Sequence, residues 1–150
     1  MIYPILAYGD PILRKEAKDF PEGSEELTAL VENMFETMYK ANGVGLAAPQ
    51  IGKSHRIFVM DSTQMGDEEH AGVKRVFINP EILDEYGELW TFEEGCLSIP
   101  DVREDVFRKD EITIKYWDTD FKEHEEVFSG IAARIIQHEY DHIEGILFTD

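Results

Sequence analysis

Apolar positions recur at helical spacing in two places along the chain. In the first, Leu27, Leu30, Val31, Met34, Phe35 and Met38 line one face, with Ser24 as the expected cap, Glu25 and Glu26 in the first turn, and Asn42-Gly43 as the stop. In the second, Ser129 precedes Ile131, Ala132, Ala133, Arg134, Ile135 and Ile136, which predicts a capped helix continuing through Gln137-His138-Glu139-Tyr140-Asp141-His142. Between them, runs of β-branched and aromatic residues predict strands at 56–60, 73–79, 82–83, 89–92 and 112–117 and around Val127-Phe128, separated by polar turns and by the acidic stretch Asp61 to Gly72. Long helical crossovers are missing between these strands, so the sheet pairing is expected to be antiparallel.

The predicted class is α+β, with antiparallel sheets packed around the second helix as the central element and one further amphipathic helix near the amino terminus. The first residues read as an extended lead-in, a turn at Gly9-Asp10-Pro11 and a short helix with Pro11 in its first turn. No internal repeat, low-complexity segment or domain boundary interrupts the pattern, and residues 1–150 are expected to form one domain, with a core of ordinary size for 17.3 kDa.

Charge narrows the partners. With 14 basic against 32 acidic residues the formal net charge is −18, so the surface repels phosphate backbones and direct nucleic-acid binding is not expected. No opening apolar run resembles a signal peptide, and no stretch approaches the roughly 20 apolar residues of a membrane span, so a cytoplasmic protein without membrane partners is expected. The single cysteine, Cys96, excludes an internal disulfide and leaves its thiol free for metal or catalysis.

Chemistry concentrates on the second helix. His138 and His142 stand four apart, on one face and one turn from each other, where they can grip one metal ion. Glu139 is then placed to take a proton from a water that the cation activates, which is a hydrolase arrangement. Two histidines on a helix are also commonly satisfied by hydrogen bonds or solvent. A catalytic ion needs a third ligand, and an extended pattern with another histidine six residues after the second finds Phe148 instead, so the third ligand is sought upstream.

Two upstream stretches stand out. Gly43-Val44-Gly45-Leu46-Ala47-Ala48-Pro49-Gln50-Ile51-Gly52 is either a tight buried connection or a strand facing substrate, with Gln50 as its polar hand. In Glu93-Glu94-Gly95-Cys96-Leu97-Ser98-Ile99-Pro100, Cys96 is either a small buried hydrophobe or the missing soft ligand, placed in a turn beside Gly95. His55, His70 and His124 compete for that role, each in a polar or acidic stretch with no accompanying pattern. Cys96, His138 and His142 together would leave a fourth position open, which distinguishes a catalytic site from a structural one. The thiolate makes such a site sensitive to oxidation.

Taken in order, Gly43 to Gln50, Glu94-Gly95-Cys96-Leu97-Ser98 and Gln137 to His142 resemble the motifs of the peptide deformylases, and the similarity runs from the amino terminus to about Phe148. The resemblance implies removal of the formyl group from the initiator methionine of nascent polypeptides, with release of formate. It implies Cys96, His138 and His142 as metal ligands and Glu139 as general base and then acid. Gln50 and the Leu97 backbone N–H would face the oxyanion. The same resemblance implies ferrous iron as the native cofactor, with zinc, nickel or cobalt able to occupy the site. N-formyl-methionyl nascent peptides would be the partner, lying as an added strand beside Val44-Gly45, with Gly95 also against the substrate. Ile131 and Ile135 are candidates for the methionine pocket, or ordinary core. Glu94 and Arg108 are expected to form a structural charge pair.

Many bacterial deformylases continue into a carboxy-terminal helix that docks on the ribosome. This chain stops at Asp150, either as a trimmed form or as a naturally short one of the kind some bacteriophages encode, which leaves ribosome contact by that route in question. A monomer in the bacterial or phage-host cytoplasm is expected. The competing readings are a metallopeptidase, which shares the helix motif, and a non-catalytic protein with a structural zinc.

Overall fold

A computed structural model describes residues 2–7, 10–65, 72–96 and 98–146. Helix α1 spans Leu27–Lys40 and buries Leu27, Leu30, Val31, Met34 and Met38, the face its spacing predicts. It starts two residues later than expected. The Ser24 hydroxyl accepts the Glu26 N–H at 3.3 Å and so closes a turn of its own ahead of the helix, where it cannot serve as the cap. Phe35 is half-buried, stacked on Tyr39 beneath the Lys74 ammonium. Asn42 ends α1 in the left-handed region at φ 59°, and the Gly43 N–H reaches back to the Met38 carbonyl at 2.9 Å. Ahead of α1, Pro11–Arg14 forms the expected short turn of helix, opened by Asp10, whose side chain accepts the Ile12 N–H.

Five described strands form one sheet in chain order, each antiparallel to its neighbour: β1 (Gly45–Ala47), β2 (Ile57–Asp61), β3 (Lys74–Cys96), β4 (Ile99–Trp117) and β5 (Glu123–Ser129). The three runs expected at 73–79, 82–83 and 89–92 are one strand. Shifts of register between Ile78 and Glu81, Ile82 and Asp84, and Tyr86 and Leu89 absorb Pro80 and Gly87, whose turn-forming character reads as breaks in the sequence. Strand β4 likewise begins at Ile99, far upstream of Ile112, because its charged stretch pairs along the length of β3 and needs no apolar alternation to do so.

Period-two alternation divides the core. Phe58 and Met60 of β2 join Phe77, Ile112, Ile114 and Phe128 against the last helix, α2 (Gly130–Ile143), through Ala133, Ile136 and Ile143. Ile57 and Val59 point the other way, with Leu46 and Ile78, onto Met34 and Met38 of α1. The sheet is therefore clasped between two helices, and α2 is held firmly enough to serve as a platform. No helix among the described residues is long and apolar enough to cross a membrane.

Candidate active site

Ser129 occupies the N-cap of α2 in extended conformation, although its side chain makes no capping bond. One turn apart on the buried face, His138 and His142 bring their ring centroids to 5.2 Å. Cys96 is the last residue of β3, in ladder register with Ile99, and is half-buried. Its Sγ lies 3.3 Å from His142 Nε2, and one donor atom from each of Cys96, His138 and His142 falls within 4.8 Å of the others. Of the competing histidines, the described ones make other contacts. His55 packs edge-on against Phe20 and His124 binds Asp118, while His70 lies outside the described residues.

Glu139 sits beside this cluster, 5% exposed, and its Oε1 finds no hydrogen-bond partner. Burial pushes its carboxyl up to about 7. Gly45 of β1 makes room for it: a methyl group there would stand 2.6 Å from Glu139 Oε2 and 2.9 Å from Cγ and Cδ. Gly45→Ala is therefore expected to fold and keep its metal while losing about 10²-fold in kcat through displacement of the carboxylate, checked by comparing turnover with metal content.

Gln50 lies in a short helical turn, Ala48–Ile51, and is fully buried. Its Oε1 accepts the Ala47 N–H at 3.0 Å, which fixes the amide orientation. Nε2 therefore points into the site, 3.3 Å from Ser98 Oγ and 3.5 Å from Cys96 Sγ. Leu97 lies outside the described residues. Strand β1 is an edge of the sheet. Val44 accepts the Asp61 N–H, so by alternation the Gly45 N–H and C=O face the open side. Val44 and Gly95 are exposed, Ile131 is half-buried, and Ile135 belongs to the core between α2 and the sheet.

Behind the histidines lies a buried charge network. Arg108 holds Glu94 with a two-pronged grip at 2.7 and 2.9 Å and reaches Asp141 at 2.9 Å. Glu94 Oε1 meets His138 Nδ1 at 2.8 Å, which leaves His138 Nε2 for a metal. The expected Glu94–Arg108 pair is thus present, but sequence reasoning missed the parts played by Arg134, Asp141 and Ser98. Arg134 and Asp141 stand one turn before and after His138 on a buried helix face, a signal that charged residues there have partners.

Burial opposes ionisation of Glu94, but hydrogen bonds from His138 and Arg108 outweigh it and hold the carboxyl at about 2. Against an ordinary value of 4.5, that depression gives stability complete above pH 4.5 and lost as pH falls toward 2. The metal-free protein and its Glu94→Gln variant should therefore differ in unfolding free energy by on the order of 3 kcal/mol at pH 6 and converge between pH 4.5 and 2, as followed by urea denaturation.

A thiolate and two imidazoles are a donor set suited to a divalent transition metal. Burial disfavours charge on His138, yet bonds to Cys96 and Glu94 outweigh it and raise its pKa to about 10, so a cation bound at this ring would have to displace a proton. Burial and the neighbouring His138 charge lower His142 to about 3, which keeps its ring neutral and able to ligate.

The polypeptide deformylase family profile matches residues 2–150. The peptide deformylase of Christiangramia forsetii is 55% identical over 159 residues, covering 100% of this chain and 81% of that protein. That of Cytophaga hutchinsonii is 56% identical over 150 residues, covering 100% and 82%. Among solved structures, peptide deformylase from Thermotoga maritima matches with a TM-score of 0.88 at 45% identity, covering 100% of this chain and 97% of that one. A Met-Ala-Ser-bound class I type b peptide deformylase from Acinetobacter baumannii matches with a TM-score of 0.90 at 36% identity, covering 99% and 97%. Full-length agreement in sequence and in fold means that the chain belongs to the polypeptide deformylase family.

Proposed function

We propose that this chain is a metal-dependent hydrolase that removes the formyl group from the initiator methionine of nascent polypeptides and releases formate. The observation that carries the reading is a buried carboxylate oxygen of Glu139 without a partner, next to three convergent donors from Cys96, His138 and His142. Those three residues would hold one divalent cation. When bound, the cation supplies Lewis-acid polarisation of the formyl oxygen and the attacking water. We assign Fe(II) as the native ion, with zinc, nickel or cobalt able to use the same donors.

Glu139 takes a proton from the attacking water as oxygen bonds to the formyl carbon. Negative charge develops on the formyl oxygen, where the Gln50 amide donates, together with the Leu97 N–H. The carbon–nitrogen bond then breaks as Glu139 returns its proton to the methionine nitrogen, and formate leaves. A carboxyl near pKa 7 can perform both transfers at neutral pH.

The peptide would lie along the open side of β1, with the Gly45 backbone groups bonding it as an added strand beside Val44 and Gly95. The Acinetobacter protein solved with Met-Ala-Ser bound supports a short methionine-led peptide as the ligand. Ile131 would face the methionine side chain more than Ile135, which is taken up in the core. Residues 1–150 act as one catalytic domain, a cytoplasmic monomer.

The test is formate release from a short N-formyl-methionyl peptide, using protein prepared without air and reloaded separately with iron, nickel, cobalt or zinc. Metal-dependent release, absent with the N-acetyl analogue, is the expected result. No release from folded, metal-loaded protein would overturn the reading.

A further inference from the structure

We propose that Arg134 is a positioning residue for the metal centre, a buried cross-link that sets both the orientation of His138 and the seating of Cys96 against the histidine pair. The inference rests on the metal-dependent reading of the site.

Arg134 is 2% exposed on α2, one turn before His138, among Ala132, Ala133, Ile135 and Ile136. An apolar residue would satisfy packing there, and a buried ion pair by itself is weak evidence of a gain in stability. What the guanidinium touches is more specific. Its Nη1 donates to Glu94 Oε2 and, at 3.0 Å, to the Val106 carbonyl. Its Nη2 donates to the Trp90 carbonyl at 2.6 Å, and the group lies over the Trp90 ring, 4.4 Å from its centroid. Every one of these partners belongs to β3 or β4, whereas Arg134 shares its helix with His138 and His142.

The consequence is geometric. Cys96 and Glu94 ride on β3; the two histidines ride on α2. Arg108 grips Glu94 from β4, inside the strand pair, and among the described residues its hydrogen bond to α2 is to Asp141. Arg134 fastens the Glu94 carboxylate to the ligand-bearing helix itself. With Oε2 held from α2 by Arg134 as well as from β4 by Arg108 Nε, Oε1 stays in line with His138 Nδ1, and the bond to the Trp90 carbonyl holds the Cys96 strand at a set distance from α2 while the Val106 bond does the same for its partner β4.

The test compares Arg134→Lys and Arg134→Met with the unaltered chain, using Co(II) alone as probe. Folding is checked by far-ultraviolet circular dichroism, affinity by competition with a chelator, and geometry by the ligand-field and thiolate charge-transfer bands. Folded variants should bind Co(II) about 10- to 100-fold more weakly, Met more so than Lys, with displaced bands. Affinity within twofold of the unaltered chain and unchanged bands would overturn the proposal. If neither variant folds, Glu94→Gln decides: unchanged Co(II) affinity and bands there would remove the path by which Arg134 acts, and weakened, shifted binding would support it. Absence of Co(II) binding by the unaltered chain would instead bring down the metal reading, and this proposal with it.

Discussion

Glu139→Ala should retain a full complement of metal and lose turnover almost completely, whereas His142→Ala should lose metal and turnover together. The two residues lie within one turn of the same buried helix face, so a general loss of packing would affect them alike. Their roles differ. His142 Nε2 faces Cys96 Sγ, inside the donor cluster, while Glu139 offers an oxygen without a partner. General acid–base groups contribute about 10²- to 10⁴-fold, and Glu139 is expected near the upper end because the proposed mechanism gives both proton transfers to one carboxyl. Elemental analysis of the purified variants beside formate release decides it. Substantial turnover in Glu139→Ala would end the mechanism.

Loss of the Gln50 amide should have the next largest effect. Its Nε2 is fixed toward the site because Oε1 is committed to the Ala47 N–H, so the donor needs no reorganisation when charge develops on the formyl oxygen. Gln50→Ala is expected to lower kcat by about 10²- to 10³-fold, equivalent to roughly 3 to 4 kcal/mol of transition-state stabilisation, with little change in KM. It also orphans a buried backbone donor, at about 1 to 3 kcal/mol in stability. Ser98→Ala separates the two effects, since it keeps the amide and its bond to Ala47 while removing one contact at Nε2. Equal kcat losses in Gln50→Ala and Ser98→Ala would argue that the region merely supports the fold.

Helices were the most legible elements, because six apolar residues at helical spacing leave few alternatives for α1 and the motif on α2 inherits that regularity. Strands were legible where both faces are covered, as at Ile57 to Met60, and illegible where one face is charged and solvated. That is why the 99–111 part of β4 escaped notice. At the site, His138, Glu139 and His142 stand out by residue type and spacing, whereas Cys96, far upstream, reads equally as a small buried hydrophobe until the family resemblance singles it out. Arg134 did not, because a lone arginine between isoleucines reads as the edge of an amphipathic face until Glu94, Trp90 and Val106 are folded against it. Long-range partners of this kind leave no local period.

The two edges of the sheet answer a chemical question about selectivity. At one edge β5 carries Glu123 and Glu125 exposed, Glu123 paired with Lys115, and charged side chains on an edge strand discourage another strand from joining. At the other, β1 is only three residues long and offers the side-chain-free backbone of Gly45. Of the two borders among the described strands, β1 is the better suited to a guest strand, and only for the span of a few residues. Such a border rewards a free chain end that is extended at its first positions, and it takes no account of the residues farther along that chain. If the peptide joins β1 as proposed, one short strand would admit many unrelated polypeptides while refusing internal loops and other copies of the sheet.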